Sequence, residues 1–152
     1  MLLDAFLSFG HFVFVFIFVA ALAAEAWVLR LTQTRETLRL LLRIDAFYGA
    51  SAVGVIVLGF LRVFYGAMPE QYYWGEIFFW GKLGAFLVIG LISAIPTMRY
   101  MRWVRASTAD ENFLPAESEI KGVRRLVMVE LHLLPLIPLF AAFMARDMPP
   151  FG

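Results

Sequence analysis

Sixteen consecutive residues, 46–61, carry no charge, and basic residues flank them: Arg39 and Arg43 ahead, Arg62 immediately behind. Asp45 directly precedes the run. Drawn at 44–64, the segment is about long enough to cross a hydrocarbon core of ~30 Å as a helix rising ~1.5 Å per residue. A backbone in lipid must satisfy its own hydrogen bonds, and a helix does so. Small residues crowd the first half: Gly49, Ala50, Ser51, Ala52 and Gly54, with Gly59 further on. Such side chains let helices approach closely where hydrophobicity no longer drives them together. This segment is therefore expected at the centre of a bundle.

Hydrophobic residues make up 62% of the 152-residue chain and charged ones 16%, against about half and about a quarter in soluble domains. The excess is gathered in four blocks, giving expected spans at about 3–27, 44–64, 77–95 and 126–144. The expected fold is all-α, an integral membrane four-helix transmembrane bundle in one domain, 1–152. Its first partner is the lipid bilayer. Nucleic acid is not expected, because the net charge is +1 and no basic patch has interleaved aromatics. The absence of cysteine excludes disulfides, thiolate metal sites, iron–sulfur clusters and covalently attached c-type haem.

In the first block Phe12, Phe14, Phe16 and Phe18 alternate as in a strand, but the length of the apolar run decides for a helix. The opening MLLDA lacks the basic residues of a signal peptide, so a retained span is expected. His11 and Glu25 fall within about 40° of each other on its helical face. A basic connector follows at 30–43, with TRETLRLLLR expected along the interface. MPEQYYWGE is expected as a loop whose Tyr72, Tyr73 and Trp74 form an aromatic belt. The third span holds Lys82, with Phe86, Ile89 and Ser93 on its face, and is expected to end at Pro96. The polar stretch 97–125 reads as a surface loop with helical ends. The fourth span contains Glu130, His132, Pro135 and Pro138; its prolines are expected to free the carbonyls of Leu131 and Leu134 beside His132.

Ten of the thirteen basic residues lie in the connectors 30–43 and 97–125. The positive-inside rule puts both connectors in the cytoplasm and both termini outside. That is the arrangement of a multi-pass protein of a bacterial inner membrane. With this topology His11, Arg62 and Lys82 fall in the outer half of the membrane on three helices. Glu25, Asp45, Glu130 and His132 fall in the inner half. A charge at the bilayer centre costs ~3 kcal/mol on the insertion scale, so such residues turn inward and find partners. The outer set has cations and an imidazole with no carboxylate nearby, which invites an anionic ligand. Plainer roles are open to each. Arg62 and Lys82 can snorkel to headgroups, Glu25 and Asp45 can pair with Arg30 or Arg43, and either histidine can hydrogen-bond across helices. Met98-x-x-Met101 has soft-metal spacing but sits among arginines.

Paired histidines in a membrane bundle can hold b-type haem, whose iron takes imidazole and whose propionates take cations. His11 as iron ligand with Arg62 and Lys82 on the propionates uses every member of the outer set. His132 is the candidate second iron ligand, its Cα differing in height from that of His11 by about 9 Å.

The same residues carry a family resemblance. His11, LLRIDAFYG leading into the second span, GFLR closing it, FFWGKL opening the third and SAIPTMRYMRW leaving it resemble a bacterial four-helix membrane family of unknown function. The match covers nearly the whole chain. That family is similar, more remotely, to the HemJ-type protoporphyrinogen oxidases and the membrane part of CopD-type copper resistance proteins. In the HemJ type a first-span histidine is implicated in haem b binding and a third-span lysine is shared. His11 and Lys82 match those positions, and Glu130 matches an acid of the last span. Two departures weigh against porphyrinogen oxidation more than against a haem site. The chain reads Ala26-Trp27-Val28-Leu29-Arg30 where the HemJ type has a Trp followed by Leu-Pro-Arg, and Ser93 stands where that type has a histidine.

The leading expectation is a b-type haem-binding membrane protein in electron transfer or porphyrin-related redox chemistry. A non-catalytic accessory subunit of a larger membrane complex, or a self-associating one, is the first alternative. A metal-ion or anion permease of the CopD kind is the second.

Overall fold

The computed structural model describes residues 2–146, and every regular element in them is helical. In chain order the helices are α1 (Leu2–Val28), α2 (Arg35–Tyr65), α3 (Glu70–Gly75), α4 (Ile77–Ala109), α5 (Glu117–Leu133) and α6 (Leu136–Arg146). Four units are long and apolar enough to cross a membrane: α1, α2, α4, and α5 with α6 taken together. The fold is an all-α transmembrane bundle.

Glycines on both α1 and α2 set how closely these two helices pack. Leu58 lies against Gly10, the Phe14 ring against Gly54, and His11 against Gly59. Positions rise along α2 as they fall along α1, so the two helices are antiparallel. Gly49, by contrast, has nothing within 4 Å of where a side chain would begin. Contacts of Gly81 with Phe140 and of Phe78 with Phe143 make α4 and α6 antiparallel too. The units thus run up and down in sequence. One end of the bundle, here the terminal end, holds the start of α1 and the finish of α6; the other is the connector end.

Helix α2 begins earlier than an interfacial connector would allow. The Thr37 N–H donates to Thr34 Oγ1 at 3.3 Å and the Thr34 N–H donates to Thr37 Oγ1 at 2.7 Å, a reciprocal cap. Residues 35–43 are therefore the first turns of the spanning helix rather than a separate segment on the surface.

Pro96 does not end the third span. It is buried inside α4, which continues to Ala109. Tyr100, Trp103 and Ser107 follow at helical spacing and are completely buried, so packing outweighs the one backbone bond the proline removes. The polar stretch expected as a loop over 97–125 is mostly helix, with only 110–116 between α4 and α5. Arg99 Nη1 donates to Glu119 Oε1 at 2.9 Å, Arg102 pairs with the same oxygen, and Trp103 Nε1 donates to Glu119 Oε2 at 3.3 Å. These contacts hold α5 to the extension of α4.

The prolines of the last span do interrupt it, between α5 and α6. The Leu134 carbonyl is not left free: it accepts the Ile137 N–H at 3.1 Å, and the Pro135 carbonyl accepts from Leu139 at 3.1 Å. The break separates the packing of the two halves. Helix α5 touches both α1 and α4, whereas α6 leans on α4 and makes no comparable contact with α1 among the described residues. The main core accordingly lies toward the connector end, around Leu22, Leu38, Leu41, Ile89, Trp103 and Val127. Phe6, Phe9, Phe16, Phe47, Leu87 and Leu91 are exposed, as expected of a surface that meets lipid.

Candidate functional site: a cationic cavity between the helices

Because α6 parts from α1, a space remains between α1, α2, α4 and α6 toward the terminal end. It is a cavity of about 320 Å³. Its polar lining side chains are His11 from α1, Arg62 from α2, Tyr73 from α3 and Lys82 from α4. Phe60, Phe79, Leu83, Phe86 and Ile137 are among the apolar walls. Phe12, Ala141 and Ala145 at its margin are exposed, so it communicates with the bilayer side of the bundle.

Each polar group is held by its own helix. Gly59 lets the imidazole of His11 lie against α2; a Cβ there would stand 3.4 Å from His11 Cε1. His11 Nδ1 and Arg62 Nε are buried with no hydrogen-bond partner among the described residues. Lys82 Nζ stands 4.9 Å from the centroid of the Phe79 ring and 3.8 Å from Met144 Sδ. Neither is an anion, and among the described residues no carboxylate belongs to the lining. A cation over an aromatic face gains ~1 kcal/mol or somewhat more when desolvated, well short of a buried ion pair partner's pull. The cavity thus has two cations with no ion-pair partner among the described residues, and an imidazole on its wall.

Helix α3 closes the terminal end. Tyr73 and Trp74 pack on Phe79 at 5.7 Å between ring centroids, and Trp80 Nε1 donates to the Trp74 carbonyl at 3.2 Å. The Tyr72 hydroxyl donates to the Met144 carbonyl at 3.0 Å, tying the finish of α6 to α3. The aromatic belt expected at 72–74 is thus partly a roof. Burial pushes the Tyr73 phenol above its ordinary value, against the opposing pull of Arg62, so it meets a ligand as a neutral hydroxyl.

Of the residues singled out in the sequence, the structure gathers His11, Arg62 and Lys82 and leaves out His132. The His132 side chain is exposed, and its Nδ1 lies 2.6 Å from the Met128 carbonyl of its own helix. It is on α5, while the cavity takes its last-span wall from α6. Among the described residues no group of three His, Asp or Glu converges to hold a metal ion. Met98 and Met101 face outward.

Glu25 and Asp45 do not pair with Arg30 or Arg43. Arg30 Nη2 reaches Met128 Sδ at 3.9 Å, and Arg43 is exposed. The acids are instead buried and served by hydroxyls. Tyr100 donates to Glu25 Oε2 at 3.2 Å and Thr97 donates to Asp45 Oδ1 at 2.8 Å. Tyr48 donates to Glu130 Oε2 at 3.0 Å. Sequence reasoning gave Tyr73 only a place in the belt and did not single out Met144. The second had a signal, since Ile137, Ala141 and Met144 recur at helical spacing and all face the cavity.

No curated protein and no solved structure matches the chain. The profile of one family, described as "Predicted membrane protein (DUF2214)", matches residues 3–148. With nearly the whole chain covered and four apolar helices of membrane-spanning length in the structure, the protein belongs to this membrane family of unknown function.

Proposed function

We propose that the protein binds b-type haem in the cavity, with His11 on the iron and Arg62 and Lys82 on the propionates, and serves electron transfer or porphyrin-related redox chemistry. The observation that carries this reading is the convergence of His11, Arg62 and Lys82, from three helices, on one apolar-walled space with no acid in its lining among the described residues. Ligand pockets run from about 300 Å³ upward, and the opening past Phe12, Ala141 and Ala145 lets a larger apolar body extend toward lipid.

Bound haem would supply one-electron chemistry at its iron. The protein's own part is positional. His11 offers its imidazole at the cavity wall, Arg62 and Lys82 neutralise carboxylates, and the phenylalanine walls keep water from a macrocycle's faces. Porphyrin carboxylates on Arg62 and Lys82 would replace the weak sulfur and aromatic contacts Lys82 now makes. The exposed position of His132 favours a single histidine on the iron. The likeness of His11 and Lys82 to HemJ-type positions points the same way. By the positive-inside rule the cavity would open in the half of a bacterial inner membrane facing away from the cytoplasm.

A second reading rests on the same cations: the cavity binds an amphipathic anion without iron, as an anion permease or an accessory subunit would. The absorption spectrum of the purified protein separates the two. A Soret band with reduced b-type bands, lost in His11→Ala, supports haem. A colourless preparation that stays colourless after incubation with haemin overturns it and leaves the anion reading.

A further inference from the structure

The connector half of the bundle holds a second constellation, opposite in character to the cavity. Glu25 on α1, Asp45 on α2 and Glu130 on α5 are 2%, 6% and 1% exposed. They are the buried acids among the described residues, and no ion pair reaches any of them. The three lie close enough to act on one another electrostatically, Glu25 with both Asp45 and Glu130, and Glu130 with Asp45.

Every helix packed around the acids presents a hydroxyl or another acid, and none presents a cation. Helix α2 brings Tyr48 to Glu130, and α4 brings Tyr100 to Glu25 and Thr97 to Asp45. Ser51 is buried nearby but donates to the Tyr48 carbonyl at 2.8 Å. Each glutamate therefore receives one hydroxyl on Oε2. Its other oxygen, Oε1, is buried with no partner among the described residues, in Glu25 and Glu130 alike. Two orphaned carboxyl oxygens in a buried core are a demand for something that is neither a protein cation nor a protein donor.

Three like charges in a low-dielectric interior without a counter-ion are each too expensive to keep, and carboxyl groups in that position take up protons instead. A metal cation would answer the same demand, but the acids do not converge tightly enough to cage one. We propose that Glu25, Asp45 and Glu130 form an intramembrane proton-binding site, framed by Tyr48, Tyr100 and Thr97, that holds protons at neutral pH. This assignment is independent of haem in the cavity. The two sites are separated by stacked rings: Phe86 on the cavity wall stacks on Phe18 at 5.5 Å, and Phe18 on Tyr48 at 4.5 Å.

Infrared spectroscopy of the purified protein in detergent, titrated with acid and alkali in H2O and in D2O, tests it. At neutral pH the wild type should show a protonated-carboxyl C=O stretch that shifts in D2O and gives way to carboxylate bands on alkaline titration. Glu25→Gln and Glu130→Gln should each remove part of it. Both glutamines should keep the melting temperature close to wild type, because the amide has the size and neutrality of the protonated acid. Only carboxylate bands at neutral pH would overturn the proposal, as would a protonated band undiminished in both glutamines and in Asp45→Asn. A protonated band that emerges only when sodium and potassium are withdrawn would also overturn it, making the ligand a metal cation. If a glutamine variant does not fold, the wild-type titration still decides, since a protonated carboxyl band at neutral pH requires a carboxyl shielded from water.

Discussion

The hydroxyl of Tyr48 donates to Glu130 Oε2 at 3.0 Å across the interface of α2 and α5, while its ring stacks on Phe18 of α1. One side chain thus joins three helices, with its apolar face toward the cavity half and its polar tip in the acid half. The bond is wholly buried, so water cannot replace it. Tyr48→Phe keeps the stack and removes only the donor. It should lower stability by ~1–3 kcal/mol, the usual effect of leaving a buried polar group unsatisfied. Thermal unfolding in detergent checks this; an unchanged melting temperature would mean Glu130 finds another donor.

The contact of Phe14 with Gly54 sets how closely α1 approaches α2. Any side chain at position 54 would meet the Phe14 ring. Gly54→Leu should therefore destabilise the bundle by ~1–3 kcal/mol or more through overpacking. Gly49→Leu, at an open position on the same helix, serves as the control and should be close to neutral. Equal losses in both variants would point to helix propensity or insertion rather than packing.

Gln71 on α3 and Ser118 on α5 are both exposed, at opposite ends of the bundle. Cysteines introduced there, in a chain that has none of its own, should be labelled from opposite sides of the membrane, Gln71→Cys from outside the cytoplasm. Labelling of both from one side would contradict the up-and-down order of the spans.

If the cavity holds haem, His11→Ala should abolish or strongly shift the Soret band. Arg62→Ala and Lys82→Ala should weaken haem retention more mildly, since each removes a propionate partner without touching the iron. His132→Ala should leave the spectrum unchanged, because that ring lies against its own helix. Loss of haem in His132→Ala equal to that in His11→Ala would mean that α5 turns its other face inward in the loaded protein.

The reach of the sequence is plainest in Arg62 and Lys82. Charge inside an apolar run is a one-dimensional signal, and rise along a helix converts position into depth. Their convergence with His11 was legible for that reason, as was the packing role of Gly54. Depth does not specify rotation about the helix axis, and His132 shows the consequence. It lies inside a span as His11 does, yet it faces outward. Glu25 and Asp45 likewise sit at a depth where arginines were available, and only the packed bundle shows tyrosine and threonine hydroxyls in their place.

Pro96 and Pro135 mark the same boundary between chain and fold. Both remove a backbone donor, and by sequence both are expected to end or open a helix. At Pro96 the buried side chains of Tyr100 and Trp103 hold the helix together beyond it, so α4 runs on. At Pro135 the helix breaks, and α6 parts from α1 to leave the cavity. Apolar length, charge position and small-residue content determined by themselves that this chain spans a membrane as four helices. Which faces meet, where the bundle stays open and which acids lose their cations were decided by tertiary packing, because rotation and local breaks depend on neighbours distant in sequence.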